Sequence, residues 1–106
     1  MELFDTYTKD LVDLPLPPGP VRMYICGPTV YARAHVGNAR PFVIGMWWRQ
    51  WLKVMGYNVT FVHNITDVND KIYAAAGDGS SAELARQASE WYVEDTEALG
   101  PSPAAA

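Results

Sequence analysis

The chain has 106 residues, of which 49% are hydrophobic and 19% charged, and its formal net charge is −4 at pH 7. This is the size and composition of one small globular domain. It argues against a membrane span, which needs about 18 consecutive apolar residues, and against a secretory signal, because the N-terminus lacks a basic region. The single cysteine excludes an internal disulfide. We therefore expect a cytoplasmic protein that is not attached to a membrane.

Charge is distributed unevenly along the chain. Residues 1–77 contain seven Lys and Arg and six Asp and Glu, whereas residues 78–106 contain one Arg and six acids. Phosphate contacts need clustered basic side chains, and the sequence contains no such cluster. If the protein acts on RNA, most of the RNA-binding surface is expected outside this chain. The acids after residue 78 are predicted to form a solvated helix face.

The first predicted elements flank a proline-rich connector. Residues 3–7 favour a short edge strand. Residues 15–20 contain four prolines, so they cannot be a helix or a central strand. Residues 21–26 are a short apolar run that ends at Gly27-Pro28, which predicts a strand followed by a loop.

The next segment, residues 41–55, is dense in large apolar side chains and too long for a strand, so it predicts a largely buried helix. Pro41 suits the first turn, where its missing N–H costs nothing. Gly56 suits the C-terminal cap, and Lys53 lies near the negative end of the helix dipole. The tryptophans predicted to pack in the core or at an interface are Trp47, Trp48 and Trp51.

Residues 58–63 are rich in β-branched and aromatic residues and predict a second strand. A strand, a helix and a strand in this order indicate a parallel βαβ unit. Since two parallel strands do not form a covered sheet, the predicted fold is α/β: an incomplete Rossmann-like nucleotide-binding fold, made of a parallel βαβ unit plus a C-terminal helix.

The C-terminal helix is predicted to open at the capping-box pattern of residues 80–83 and to extend to about residue 99. The side chains that can share its buried face are Leu84, Ala88, Trp91, Tyr92 and Leu99. We expect residues 1–99 to belong to one domain and residues 100–106 to form a flexible tail.

The loop before the first helix contains the candidate functional residues. In a βαβ unit, ligands bind at the carboxyl ends of the strands, and this loop brings His35 to a helix N-terminus, which favours phosphate. His35 and Asn38 are placed to donate hydrogen bonds to phosphoryl oxygens. Gly37 would allow a nucleotide to approach the backbone. From the residues alone, a capping or packing role for His35 stays open.

Several strings in this region resemble the cysteine–tRNA ligases, the cysteine-specific class I aminoacyl-tRNA synthetases. His35-Val36-Gly37-Asn38 resembles the His-Ile-Gly-His signature of class I synthetases, and residues 23–31, 37–43 and 56–71 resemble the cysteine-specific members. The resemblance covers residues 3–99. The sequence departs from the family at Ala32 and Asn69, where the family usually or often has an Asp.

The resemblance implies ATP-dependent activation of cysteine in the presence of Mg²⁺, followed by its transfer to tRNA(Cys). It implies that His35 and Asn38 are catalytic and that ATP is bound by Thr29, His35, Gly37 and Asn38. It further implies that Gly27 and Thr66 bind cysteine and that Cys26 is one of four ligands of a Zn²⁺. Zinc prefers a thiolate to an alcohol, so such a site would distinguish cysteine from serine.

The remaining zinc ligands, the second signature Lys-Met-Ser-Lys-Ser and the anticodon-reading domains of the family do not occur in these residues. We therefore expect the chain to be the N-terminal part of a catalytic domain, to be inactive alone, and to meet tRNA through a missing C-terminal part. The complete enzyme is expected to be a monomer.

Two alternatives stay open. The cysteine ligase of mycothiol synthesis shares the fold and the zinc chemistry but joins cysteine to an amino sugar. A non-catalytic, truncated paralogue would bind nucleotide or a partner. From the residues alone, Cys26 is also compatible with a small buried hydrophobe, and Thr66 with a turn or cap residue.

Overall fold

The computed structural model describes residues 1–100, and the predicted tail beyond Gly100 lies outside these residues. None of the helices in the described part of the chain is long and apolar enough to cross a membrane. The elements in chain order are β1 (Glu2–Asp5), β2 (Asp10–Asp13), β3 (Pro20–Ile25), α1 (Val36–Val54), β4 (Asn58–His63), α2 (Asp70–Ala76) and α3 (Ser81–Leu99).

The centre of the fold is a parallel βαβ unit. β3 and β4 pair in parallel, from Pro20 opposite Asn58 to Ile25 opposite His63, and α1 connects them. The predicted α/β class, with an incomplete Rossmann-like unit and a C-terminal helix, is confirmed. Within residues 1–100 this sheet has two strands only, so the outer edge of each strand carries unpaired backbone groups.

The N-terminal strand does not join the parallel sheet. β1 pairs antiparallel with β2, Glu2 opposite Asp13 and Asp5 opposite Asp10. The prediction that residues 3–7 add an edge strand is therefore wrong in the partner of that strand, because β2 has only two apolar residues between two aspartates and gives little strand signal. In the turn, the Asp5 carboxylate accepts the N–H of Tyr7 at 2.9 Å, and this hydrogen bond lowers the pKa of Asp5.

α1 begins earlier than predicted, at Val36 rather than Pro41, because the side chain of His35 supplies an N-cap. Pro41 consequently lies inside the helix instead of in its first turn. There it cannot donate a hydrogen bond to the carbonyl of Gly37, four residues before it.

The C-terminus of α1 agrees with the prediction. Met55 is the C-cap, and Gly56 follows it with φ +91°, a conformation that favours glycine. The Gly56 N–H donates to the Lys53 carbonyl and the Tyr57 N–H to the Leu52 carbonyl, both at 3.0 Å. This pair of bonds is the Schellman ending that satisfies the last carbonyls of a helix.

α1 is buried on one face only, rather than largely buried as predicted. Trp47, Trp48 and Trp51 are 69%, 37% and 54% exposed, so the prediction that they pack in a core is wrong for the described residues. A two-stranded sheet covers only one face of the helix, and the tryptophans lie on another face. The buried residues of α1 are Phe42, Gly45, Met46, Arg49 and Leu52.

α3 begins where predicted, since the Ser80 hydroxyl accepts the N–H of Glu83 at 3.2 Å. The Glu83 carboxylate pairs with Arg86, which lowers the pKa of Glu83. Leu99 is 52% exposed, so its predicted place on the buried face is wrong. The buried residues of α3 are Ala85, Ala88, Tyr92 and Thr96.

α2, which the sequence did not predict, is a helix of seven residues. It begins after Asn69, whose side chain accepts the N–H of Lys71 at 3.0 Å. Its only buried residue is Ile72. One buried residue gives too little apolar periodicity for recognition from the sequence.

Candidate functional site

The loops that leave the carboxyl ends of β3 and β4 stay paired beyond the strands. Thr29 and Thr66 form an isolated parallel bridge. The Val30 N–H donates to the Thr66 carbonyl at 3.1 Å, and the Thr66 N–H donates to the Pro28 carbonyl at 3.0 Å. The predicted residues Thr29 and Thr66 are thus brought together at the edge where parallel sheets bind ligands.

Gly27 lies directly against the backbone of Asn64. Its N–H donates to Asn64 Oδ1 at 2.6 Å, and a Cβ at position 27 would lie 1.4 Å from the Asn64 carbonyl oxygen. Only glycine fits at this position. Sequence reasoning did not single out Asn64 as a site residue, although its position immediately after the second strand was the signal.

Cys26 follows β3 directly, and its side chain is exposed. It is therefore not a core residue in the described part of the chain. Among residues 1–100, no group of three or more His, Cys, Asp and Glu side chains is arranged to hold a metal. Because Zn²⁺ in proteins takes four ligands, Cys26 fits only as one member of a larger ligand set, and these residues do not form a zinc site by themselves.

His35 is the N-cap of α1. Its backbone is extended, with φ −102° and ψ 172°, and its Nδ1 accepts the N–H of Gly37 at 3.0 Å. A neutral imidazole that accepts at Nδ1 carries its proton at Nε2, so an N–H donor remains on the exposed ring edge. The first turn of α1 has no acidic side chain and keeps its favourable potential for an anion. The capping role therefore does not exclude a catalytic one.

Gly37 and Asn38 occupy the first turn of α1. The Asn38 N–H donates to the His35 carbonyl at 2.9 Å. A Cβ at position 37 would lie 2.7 Å from His35 Cε1, so a side chain there would displace the imidazole. Gly37 also lines a groove of about 510 Å³ along α1, together with Val36, Ala39, Arg40, Val43, Ile44, Trp47 and Leu99.

The loop between β3 and α1 packs against α3. Val30 is only 2% exposed and forms a cluster with Ala88 and Tyr92. Ala34, just before His35, is partly buried against the same cluster. α3 therefore fixes this loop from the side opposite the solvent.

Ionic contacts also join the loop to α3. Arg33 lies 3.2 Å from the Glu94 carboxylate and 2.6 Å from the Asp95 carboxylate. Its guanidinium lies 5.5 Å from the ring centroid of Trp91, within cation–π range. Sequence reasoning interpreted these acids as a solvated face, because nothing local links Arg33 with a residue 62 positions away.

β4 ends at His63, which lies behind the paired loops. His63 Nε2 is 2.6 Å from the Tyr92 hydroxyl oxygen, and its ring packs edge-on against Phe42, with centroids 5.7 Å apart. Burial lowers the pKa of His63 below its ordinary value of 6.5, whereas the nearby Ile25 backbone raises it. Burial is the larger effect, so the pKa is lowered. Burial raises the pKa of Tyr92 to about 12. Both side chains are therefore neutral at pH 7.

Comparison with known proteins finds cysteine–tRNA ligases that are similar in sequence. The cysteine–tRNA ligase of Lachnoclostridium phytofermentans is 46% identical over 106 residues, covering 97% of this chain and 23% of that protein. That of Jannaschia sp. is 52% identical over 90 residues, covering 81% of this chain and 20% of that protein. The chain spans between a fifth and a quarter of the length of these relatives.

Residues 13–106 match the family described as "tRNA synthetases class I (C) catalytic domain". The parallel βαβ unit and its helices are consistent with the α/β fold of a class I synthetase catalytic domain, as the motifs predicted. The chain belongs to the cysteine-type family of these domains.

Proposed function

We propose that the chain is the N-terminal segment of the catalytic domain of a cysteine–tRNA ligase. Such an enzyme activates cysteine with ATP and Mg²⁺ and transfers the cysteinyl group to tRNA(Cys). The observation that carries the proposal is the position of His35. It caps a helix whose first turn lacks acidic residues, with Nε2 free to donate.

In the proposed first step, a carboxylate oxygen of cysteine attacks the α-phosphate of ATP, and the bond to pyrophosphate breaks. No side chain becomes covalently attached, so the protein acts by positioning and by stabilising charge. The helix dipole contributes about 0.3–1 kcal/mol, whereas enzymes lower barriers by roughly 8–23 kcal/mol. Side-chain donors must therefore add to it, and His35 Nε2–H and the Asn38 amide are the proposed donors to the phosphoryl oxygens.

Thr29 and Gly37 complete the proposed ATP site. Thr29 is held by its bridge to Thr66. Gly37 contributes a surface without a side chain, which also leaves room for the imidazole of His35. Both roles require that the loop keeps its position, and the packing of Val30 against α3 provides this.

The proposed cysteine site lies at the paired loops. Gly27 offers a backbone surface that is held by Asn64, and Thr66 lies on the adjacent loop. Cys26 is exposed beside Gly27 and would supply one ligand of a Zn²⁺ whose other ligands lie outside these residues. When bound, the zinc ion would favour the substrate's thiolate over the hydroxyl of serine.

Transfer to tRNA depends on parts of the ligase outside this chain. The chain has a net charge of −4 and no basic cluster of the kind that phosphate contacts need. We therefore propose that the C-terminal remainder binds tRNA(Cys), that the complete ligase is a cytoplasmic monomer, and that residues 1–106 alone are inactive.

The test uses the complete ligase, that is, the full-length protein whose N-terminal segment is this chain. We expect cysteine-dependent exchange of labelled pyrophosphate into ATP, followed by cysteinylation of tRNA(Cys). Exchange followed by transfer to an amino sugar, with no charging of tRNA, would instead identify the ligase of mycothiol synthesis. ATP binding without exchange would identify a non-catalytic paralogue.

A further inference from the structure

We infer that His63 and Tyr92 form a positioning pair for the cysteine-binding edge of the site, an inference that rests on the proposed function. His63 is the last residue of β4, and Tyr92 lies in the middle of α3. Their contact joins the carboxyl end of the sheet to the helix that supports the loop. Neither residue is expected to touch substrate.

The imidazole of His63 lies beneath Gly27. A Cβ built at Gly27 would be 3.4 Å from His63 Nε2, so the ring is close to the backbone proposed to meet cysteine. Asn64, the next residue in the chain, accepts the N–H of Gly27 at 2.6 Å. Moving the ring would therefore move both the support of Gly27 and its hydrogen-bond acceptor.

Tyr92 fixes the orientation of this ring. Its hydroxyl is 2.6 Å from His63 Nε2, and the two rings stack with centroids 5.8 Å apart and planes inclined by 21°. Tyr92 is 4% exposed and packs in the cluster that contains Val30. The same residue thus contacts the substrate loop on one side and the sheet edge on the other.

Packing alone does not explain a histidine at this position. His63 Nδ1 is buried, and no group among residues 1–100 makes a hydrogen bond of good geometry with it. The Ile25 backbone is near enough to raise the pKa of His63 against the effect of burial, but a poorly satisfied buried nitrogen is unfavourable for stability. Phe42 and Phe61 surround the ring, and a phenyl group would fill this space without an unsatisfied nitrogen. The hydrogen bond to Tyr92 is what a phenyl group would lack. The arrangement therefore favours a defined ring position over maximal stability.

The test compares two variants of the complete ligase with the wild type: Tyr92→Phe, and the double variant His63→Phe with Tyr92→Phe. We expect the double variant to melt at or above the wild-type temperature, because the unsatisfied nitrogen is removed. We expect its KM for cysteine in pyrophosphate exchange to rise about tenfold, since a misplacement of about 1 Å costs up to ~10²-fold in activity. Its KM for ATP should change less than about twofold, because a phenyl ring at position 92 keeps the packing against Val30 and because the pair lies under Gly27 rather than under the first turn of α1.

Tyr57→Phe is the matched control. Tyr57 is also a buried tyrosine, 6% exposed, but it belongs to a separate cluster with Val21 and Leu52. We expect it to leave both KM values unchanged. If the double variant does not fold, the single variant Tyr92→Phe tests the inference instead. We expect it to show the same selective rise in the KM for cysteine.

Three outcomes would overturn the inference. An unchanged KM for cysteine in a stable double variant would show that the pair does not position the site. Lower stability with equal increases in the KM for cysteine and for ATP would show a purely structural role. A wild-type ligase without cysteine-dependent exchange would overturn the proposed function, and this inference with it.

Discussion

The Nδ1 atom of His35 accepts the N–H of Gly37 at 3.0 Å, so one side chain both caps α1 and carries the proposed catalytic donor. The cap fixes the ring orientation and leaves the proton at Nε2 in the neutral imidazole. A donor oriented before the reaction needs no reorganisation as charge develops, which is the condition for strong electrostatic catalysis. Capping and the proposed catalytic role therefore depend on the same hydrogen bond.

We predict that His35→Ala in the complete ligase lowers the single-turnover rate of cysteinyl-adenylate formation by about 10²–10³-fold, the usual effect of losing one such donor. The affinity for cysteine should change little, because the donor meets charge that grows only in the transition state. Rapid-quench measurement of adenylate formation, with cysteine binding measured separately, tests this. A rate within about threefold of wild type would contradict the proposed role.

Ser80→Ala is the matched control for His35→Ala. Ser80 caps α3, which has 19 residues as α1 has, so each substitution removes one N-cap at a cost of about 1 kcal/mol. Only the His35 variant should lose catalysis. His35→Asn should recover the capping energy, because asparagine is a favourable N-cap, while the adenylation rate remains low.

We predict that the 106-residue chain alone catalyses no cysteine-dependent pyrophosphate exchange and binds no stoichiometric zinc. The described residues offer Cys26 but no group of three potential metal ligands, and one thiolate cannot form a tetrahedral site. Exchange assays and elemental analysis of the purified chain test these two expectations. Robust exchange would make these residues a minimal catalyst and would contradict the proposal.

Arg33 is predicted to order the loop more than it stabilises the fold. Its side chain is 53% exposed, and an exposed ion pair contributes about 0.2–1 kcal/mol. Arg33→Ala should therefore lower the free energy of unfolding by about 1 kcal/mol or less. Amide hydrogen exchange in residues 29–35 should nevertheless become faster, because the contacts with Glu94, Asp95 and Trp91 are lost.

Arg86→Ala is the control for this effect. Arg86 is 54% exposed and also contacts two carboxylates, Glu83 and Glu90, but all three residues lie within α3. Its loss should cost a similar free energy without faster exchange in the loop. Equal exchange rates for residues 29–35 in the two variants would show that Arg33 does not hold the loop.

Folding stability is predicted to fall as the pH decreases below about 6.5. The pKa of His63 in the folded protein is below its ordinary value of 6.5, so the unfolded chain binds more protons in this range. Stability is then fully present above the unfolded pKa and is lost as the pH falls towards the folded pKa. Urea unfolding at several pH values measures the slope.

The variant His63→Phe should remove the part of this slope that His63 contributes. Asp5 and Glu83 also have lowered pKa values, but from ordinary values of 3.8 and 4.5, so their contributions are lost at lower pH. The range just below pH 6.5 therefore separates the histidine from these carboxylates. An unchanged slope in His63→Phe would contradict the prediction.

The elements that local sequence specifies were predicted well. The strand Asn58–His63, the cap at Ser80 and the helix ending at Gly56 each follow from neighbouring residues, and the structure contains all three. The start of α1 was predicted too late in the chain, because Pro41 is a strong local signal for a first turn, although a capping role for His35 was left open. The actual start depends on a side-chain cap from His35, which is a less common N-cap residue.

The contacts that hold the site together could not be predicted from local sequence. Arg33 with Asp95, His63 with Tyr92, and Gly27 with Asn64 join residues 62, 29 and 37 positions apart. Such pairs appear only when the chain has folded. His35, Gly37 and Asn38 were candidates because of their position at a helix N-terminus. The roles of Cys26, Gly27, Thr29 and Thr66 came from the family resemblance, and the geometry of all of them came from the structure.

The last prediction concerns Cys26, whose thiol is exposed beside the proposed cysteine site. Replacement by serine in the complete ligase exchanges a soft sulfur for an oxygen that binds zinc poorly. We expect the zinc content to fall and activity with cysteine to fall with it. Elemental analysis and pyrophosphate exchange with cysteine and with serine measure both effects.

A structural role for Cys26 predicts a different result. An exposed thiol buries little apolar surface, so Cys26→Ser should then change neither stability nor zinc content by a measurable amount. Cys26→Ala is the companion variant, because alanine offers no ligand atom and should lose zinc at least as completely as serine does. Normal zinc content in both variants, together with unchanged selectivity for cysteine over serine, would exclude Cys26 as a metal ligand and remove the chemical argument that connects this segment to cysteine.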